Sequence, residues 1–331
     1  MRNFIRAYPT EARLIAVIAV IMLFLSFAAP SFLTLANLTA LLNNNAVNVI
    51  WAVGLLVVLI AGGIDISFAV AASVVQYIAA HIFMSIGGGN WLIGFLVAGG
   101  LGILVGFLNA SLIHFFRIIT IVVTIANYNA LFGLLMFVTS GRSIYDLPDW
   151  WTTPVPLIER QSADGTWYGL YLPVAIMALA ILATWFLINR TTTGRQLYAF
   201  GDNPEGARRA GINIGRMQFI AFGWTGLMAG IGGLMQVNIV REVVPNALMG
   251  RELDVLAAAV LGGARLGGGR GSVLGCFLGV MLVAITQNGL NLMGVSPFAF
   301  KMVVGLIILA AISTSNFKWG GASRKAPTEA K

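Results

Sequence analysis

The sequence predicts an all-α, polytopic transmembrane bundle of eight to ten, about ten, membrane segments, one or two of them broken or re-entrant. Three observations predict it. The 331-residue chain is 58% hydrophobic and 10% charged, with a mean hydropathy of +0.88, whereas a soluble domain carries about a quarter charged residues. The apolar residues form continuous runs of about twenty, the length a helix needs to cross the hydrocarbon; a barrel strand would alternate over about ten positions. Glycine, 39 residues in all, is plentiful inside those runs, where it permits close helix contacts in lipid.

Taken in order, the apolar runs fall at about 14–29, 46–62, 66–86, 91–113, 118–139, 170–189, 216–237, 253–264, 272–289 and 298–315. The first follows Arg2, Arg6 and Arg13; it is read as an uncleaved span rather than a signal peptide. The second and third are separated only by Gly63-Ile64-Asp65. The eighth is too short to cross alone. With ten segments and a cytoplasmic N-terminus, only Arg142, Arg160, Arg241, Arg251 and Lys301 fall outside, five of the 20 Lys and Arg. That asymmetry places both termini in the cytoplasm and accounts for the net charge of +8 without nucleic acid.

The loop from Gly141 to Gly169 carries Asp146, Asp149, Glu159 and Asp164 beside Trp150, Trp151 and Trp167, acids and aromatics suited to an outer surface. The basic loop from Asn189 to Gly215 belongs inside. Residues 1–317 form one membrane domain, with a cytoplasmic segment at about 190–215, and 318–331 a polar tail expected to be disordered. Small residues recur every four positions at Ala98, Gly102, Gly106 and Ala110, at Gly226 and Gly230, and at Gly271, Gly275 and Gly279; packing within the chain is the plain reading of such stripes. Leu59 to Asp65 echoes Ala259 to Arg265: an apolar run, a glycine pair, then a charge two residues on.

Three motifs concentrate the chemistry. In the stretch 194–212, Asn203 is a good N-cap, Pro204 suits the first helical position, Glu205 favours the helix dipole and Gly211 can close the helix in the left-handed conformation. Two turns of helix are marginal alone; the segment is either a helix held by a partner or a plain surface linker. In Gly62-Gly63-Ile64-Asp65-Ile66-Ser67, a carboxylate beside paired glycines either faces a cavity or caps the next helix, and Asp254 has the same ambiguity. In the glycine-rich run 261–272, no lysine follows a glycine, so there is no Walker A loop; it reads as a tight re-entrant turn after a half-length helix. His81 and His114 have no ligand partners at metal spacing, the lone Cys276 can form no intrachain disulfide, and no nucleophile–base pairing appears.

These motifs, in this order, resemble the permease subunits of ATP-binding-cassette importers for simple sugars, the ribose/xylose/arabinose permease family, over about residues 30–315. Pro30 to Leu38 is similar to the family's segment after its first span, 62–67 to its G-G-I-D-L-S hallmark, 194–212 to its cytoplasmic coupling segment, and 261–275 to its L-G-G…G-G-x-G-S run. Gly201-Asp202-Asn203 and Glu205-Gly206-Ala207 are similar to the autoinducer-2 branch, with a rhamnose branch also open. Phe68-Ala69 stands where the family usually has Val-Gly.

The resemblance implies a transport subunit, not an enzyme, in the bacterial cytoplasmic membrane. ATP and magnesium would sit on a separate cytoplasmic ATPase and no cofactor on this chain. A periplasmic binding protein would deliver a sugar or sugar-like solute, a second permease subunit would complete the path, and lipids would surround it. Gly194, Arg195, Asn203, Pro204, Glu205, Gly206, Ala207 and Gly211 are then expected to couple to the ATPase. Asp65, Ser67, Asn43, Asn44, Asn45, Asp254 and Arg265 are expected in the path or its gates. The alternative, a secondary transporter or channel without an ATPase, accounts for broken helices and Asp65 but not for the capped cytoplasmic helix.

Overall fold

A computed structural model describes residues 8–296 apart from 163, 164 and 166, together with 299, 300, 302, 305 and 306. Most of the tenth predicted segment and the whole tail at 318–331 lie outside the described residues. The helices are α1 (Pro9–Ala28), α2 (Leu35–Ile60), α3 (Phe68–Ser85), α4 (Trp91–Phe116), α5 (Thr120–Thr139), α6 (Asp149–Thr152), α7 (Leu172–Arg190), α8 (Thr192–Asp202), α9 (Pro204–Arg209), α10 (Ile214–Val240), α11 (Arg251–Leu261) and α12 (Val273–Leu292). Among the described residues, eight of these are long and apolar enough to cross a membrane.

The bundle is built around α2 and α10. Every residue of α2 from Val49 to Ile60 is buried, so this helix reads as apolar on all sides. By contrast α1 and α5 expose large apolar side chains such as Phe24, Phe27, Phe137 and Val138, as helices facing lipid do. The tightest seam is α4 against α10. A Cβ added to Gly102 would lie 2.1 Å from the Gly226 carbonyl oxygen, one on Gly226 2.2 Å from that of Gly102, and one on Gly230 2.0 Å from that of Ala98. Two backbones therefore touch along the small-residue stripes, within one chain. The third stripe does the same for α12, where Gly275 and Gly279 press on the backbone of Gly262 and Ala258.

Between α5 and α7 the expected loop is folded. Its strands β1 (Pro156–Gln161) and β2 (Trp167–Tyr171) form an antiparallel hairpin. Asn43 on α2 fastens it: its Nδ2 donates to the Gly169 carbonyl at 2.8 Å and its Oδ1 accepts from the Tyr171 N–H at 3.1 Å. The Tyr171 hydroxyl donates to Glu159 Oε1 at 2.8 Å, and that bond raises the phenol's pKa. Trp151 departs from the sequence expectation of a surface aromatic. It is fully buried, donating to the Leu234 carbonyl at 2.8 Å, while Asn238 on α10 donates to the Trp151 carbonyl at 2.7 Å.

The bundle thus has two ends, one carrying the hairpin and one carrying α8 and α9. The chain from Arg241 to Leu261 runs between them. It starts with the Val243–Ile144 bridge at the hairpin end and finishes in the glycine loop 262–271 at the α9 end. The short eighth segment is therefore completed by irregular backbone, and the glycine loop is a tight turn at the bundle's end.

Candidate functional site

The helix expected from Asn203 onward is α9. Asn203 Oδ1 accepts from the Gly206 N–H at 2.9 Å, and Pro204 opens the helix. Gly211 closes it at φ +80°: its N–H donates to the Arg208 carbonyl and that of Ile212 to the Ala207 carbonyl, both at 3.0 Å. This paired closure is a Schellman motif. Glu205 is exposed and pairs with Arg209 at 3.2 Å, a surface contact of little energetic weight. Ala207 is turned inward and buried, so it seats α9 on the bundle while Glu205, Arg208 and Arg209 present its outer face.

The preceding stretch, read from sequence as loop, is a second helix, α8. Thr191 caps it. Gly194 lets it fold back directly on α7, because a Cβ there would lie 2.2 Å from the Ile188 carbonyl oxygen. Arg195 is exposed. The Tyr198 hydroxyl donates to the Gly271 carbonyl at 2.7 Å; burial pushes this phenol up to about 12, so it stays a donor at any physiological pH.

Three sequence motifs meet at Gly201. A Cβ on Gly201 would lie 1.9 Å from the Ile60 carbonyl oxygen and 2.7 Å from the Gly269 amide nitrogen; one on Gly268 would lie 2.5 Å from the Gly201 oxygen and 2.7 Å from Gly62 Cα. The Gly269 N–H donates to the Ile60 carbonyl at 2.9 Å. The segment 194–212 is thus in backbone contact with both interrupted helices. The echo between Leu59–Asp65 and Ala259–Arg265 has a structural counterpart here. α2 closes with Gly62 N–H on the Leu59 carbonyl and Gly63 N–H on that of Val58; α11 closes with Gly263 N–H on Val260 and Ala264 N–H on Ala259. Both are Schellman closures around a left-handed glycine, Gly62 at φ +83° and Gly263 at φ +92°.

Asp65 is 2% exposed and braces the start of α3. Its Oδ1 accepts from the Ser67 N–H at 2.8 Å and the Ser67 hydroxyl at 2.7 Å. Asn109 on α4 donates to Ser67 Oγ at 2.8 Å, and Asn127 on α5 donates to Asn109 Oδ1. Thr120 accepts from the Ile64 N–H and Thr124 donates to the Ile64 carbonyl, both at 3.2 Å. Asp65 and Ser67 therefore belong to a buried network that pins the break between α2 and α3, and neither lines the cavities described here.

Of the other path candidates, Asn44, Asn45 and Asp254 come together. With Asn48, Arg251 and Gln287 they line a cavity of about 320 Å³ between α2, α11 and α12. Asn43 is taken up by the hairpin, and Arg265 is exposed in the glycine loop. A second cavity, of about 240 Å³, lies at the α9 end beside Gly62, Gly201, Pro204 and Gly267. Sequence reasoning missed Asn48, one helical turn beyond Asn44, and Gln287, a polar residue inside an apolar run; both carried a visible signal. Gly201 stood out only as part of a shared motif, with no sign of its packing role, because that role lies in what rests against it.

Residues 37–312 match the family described as "Branched-chain amino acid transport system / permease component". The chain belongs to this permease family. The permease is 31% identical over 325 residues to the ribose import permease protein RbsC of Escherichia coli (strain K12), covering 96% of this chain and 97% of that one. It is 30% identical over 293 residues to the ribose import permease protein RbsC of Bacillus subtilis (strain 168), covering 88% of each. It is 30% identical over 300 residues to the autoinducer 2 import system permease protein LsrC of Photorhabdus luminescens, covering 90% of this chain and 87% of that one. No solved structure matches. This chain is a multi-pass membrane protein and the permease subunit of an ATP-driven importer, a transport component rather than an enzyme. Permeases of this kind work with ATPase and substrate-binding partners.

Proposed function

We propose that the permease carries a sugar or sugar-like solute into the cytoplasm of a bacterium across the inner membrane, with both termini cytoplasmic. ATP and magnesium are bound by a separate ATPase that docks on α8 and α9. A binding protein delivers the solute at the hairpin end, and a second permease subunit, identical or not, completes the path. The observation that carries this reading is the joint at Gly201. A six-residue helix gains little from its own hydrogen bonds, yet α9 is capped at both ends and tied through α8 to the closures of α2 and α11. A partner that pushes on α9 moves both interrupted helices together.

The test is a Glu205→Lys variant, which places a third cation on the outer face of α9 beside Arg208 and Arg209. The ATPase is expected to co-purify at least tenfold less well, with membrane insertion and melting temperature unchanged. Wild-type uptake by cells lacking any partner ATPase would favour a secondary transporter instead.

A further inference from the structure

We infer that the cavity between α2, α11 and α12 is a resting site inside the permease for a neutral polyhydroxylated solute, held by the amides of Asn44, Asn48 and Gln287. The inference rests on the sugar-importer reading and adds to it the place, the residues and the charge class.

Position comes first. Asn44 and Asn48 lie one and five residues beyond Asn43, whose side chain holds the hairpin, about 1.5 and 7.5 Å further along the helix, so the site lies just inside the hairpin end of the bundle. Polar groups packed between helices are costly to desolvate and are kept where they face a cavity or a ligand. Among the described residues, the Asn44 and Gln287 side chains make no hydrogen bond within the chain, whereas Asn48 donates to Asn45 Oδ1 at 3.3 Å and Asn45 donates to the Leu41 carbonyl at 2.9 Å. Free amides offer both donors and acceptors, the match for a hydroxyl that does both.

Size and charge narrow the occupant. A cavity of about 320 Å³ is at the small end of ligand sites, about 300–1,000 Å³, with room for about ten waters. Arg251 and Asp254 bring one charge of each sign to its wall, and Arg251 Nη1 already donates to Gln236 Oε1 at 3.2 Å. The site has no net charge to favour an anion or a cation. Aliphatic side chains, Val255 and Val280 among them, complete the lining, and no aromatic ring lines the cavity. Without a stacking platform the hold is weak, as a site in transit requires.

The experiment uses the permease with its ATPase and binding protein in proteoliposomes, with labelled D-ribose, a neutral pentitol and L-leucine as probes. Asn44→Leu and Gln287→Leu remove amides that make no bond in the fold; melting temperature and ATPase co-purification verify assembly. Ribose or pentitol uptake per ATP hydrolysed is expected to fall at least tenfold in both, and Gln287→Asn to recover part of it. Wild-type uptake with both leucine variants at the wild-type ratio would overturn the site while leaving the importer reading intact. Preference of the wild-type complex for leucine would overturn the polyol assignment. No uptake of either polyol would overturn the sugar reading, and the inference with it.

Discussion

Replacing Gly201 with alanine places one methyl group at the meeting point of three segments. Its Cβ would lie 1.9 Å from the Ile60 oxygen, whereas ordinary contact begins near 3.4 Å, so the backbones must part by about 1.5 Å, the difference between those figures. Parting them that far breaks the 2.9 Å bond from the Gly269 N–H to the Ile60 carbonyl. Overpacking costs about 1–3 kcal/mol and the lost hydrogen bond about 0.5–1.5 kcal/mol. The sum, about 1.5–4.5 kcal/mol, is a shift of about 12- to 1,600-fold in any equilibrium that needs the joint closed. The assay is ATP-dependent uptake by the assembled importer alongside thermal melting of the purified permease. Gly133→Ala on α5, where nothing lies within 4 Å of the added atom, is the control and should match wild type. Gly201→Ala is expected to melt lower and to transport poorly. Wild-type melting and uptake in Gly201→Ala would refute the idea that α8 is in obligatory backbone contact with both closures.

Two further outcomes follow from the same geometry. Gly226→Ala sets a Cβ 2.2 Å from the Gly102 oxygen and should cost about 1–3 kcal/mol of stability, read as a lower melting temperature; an unchanged melt would mean that α4 and α10 are not in backbone contact. Asp65→Ala strands the Ser67 N–H and hydroxyl at about 1–3 kcal/mol for a buried donor, while Asp65→Asn keeps an acceptor, so stability and uptake should rank wild type, Asn, then Ala. Equal values for all three would remove Asp65 from the bracing of α3.

Much of this was legible in the residues because the responsible forces act over a few positions. Asn203, Pro204 and Gly211 specify α9 through bonds three to five residues long, and the paired glycines announced the ends of α2 and α11. The hairpin was hidden because Asn43, 126 residues from Gly169, secures it. Asp65 was ambiguous for a similar reason: whether a carboxylate lines a cavity or braces a helix depends on its partner Ser67, which Asn109 reaches from another helix and Asn127 supports through Asn109.

Composition and run length alone determined that the chain lives in lipid as a helical bundle, since the cost of exposing apolar surface to water or charge to hydrocarbon is a property of the residues themselves. Capping residues likewise determined where several helices stop. Only the tertiary structure decided that Gly62, Gly201 and Gly268 meet, that Asn44, Asn48 and Gln287 share one cavity, and that Ala207 faces inward. Those are contacts between residues far apart in the chain, and glycine, lacking a side chain, gives no sign in sequence of which backbone will come to rest against it.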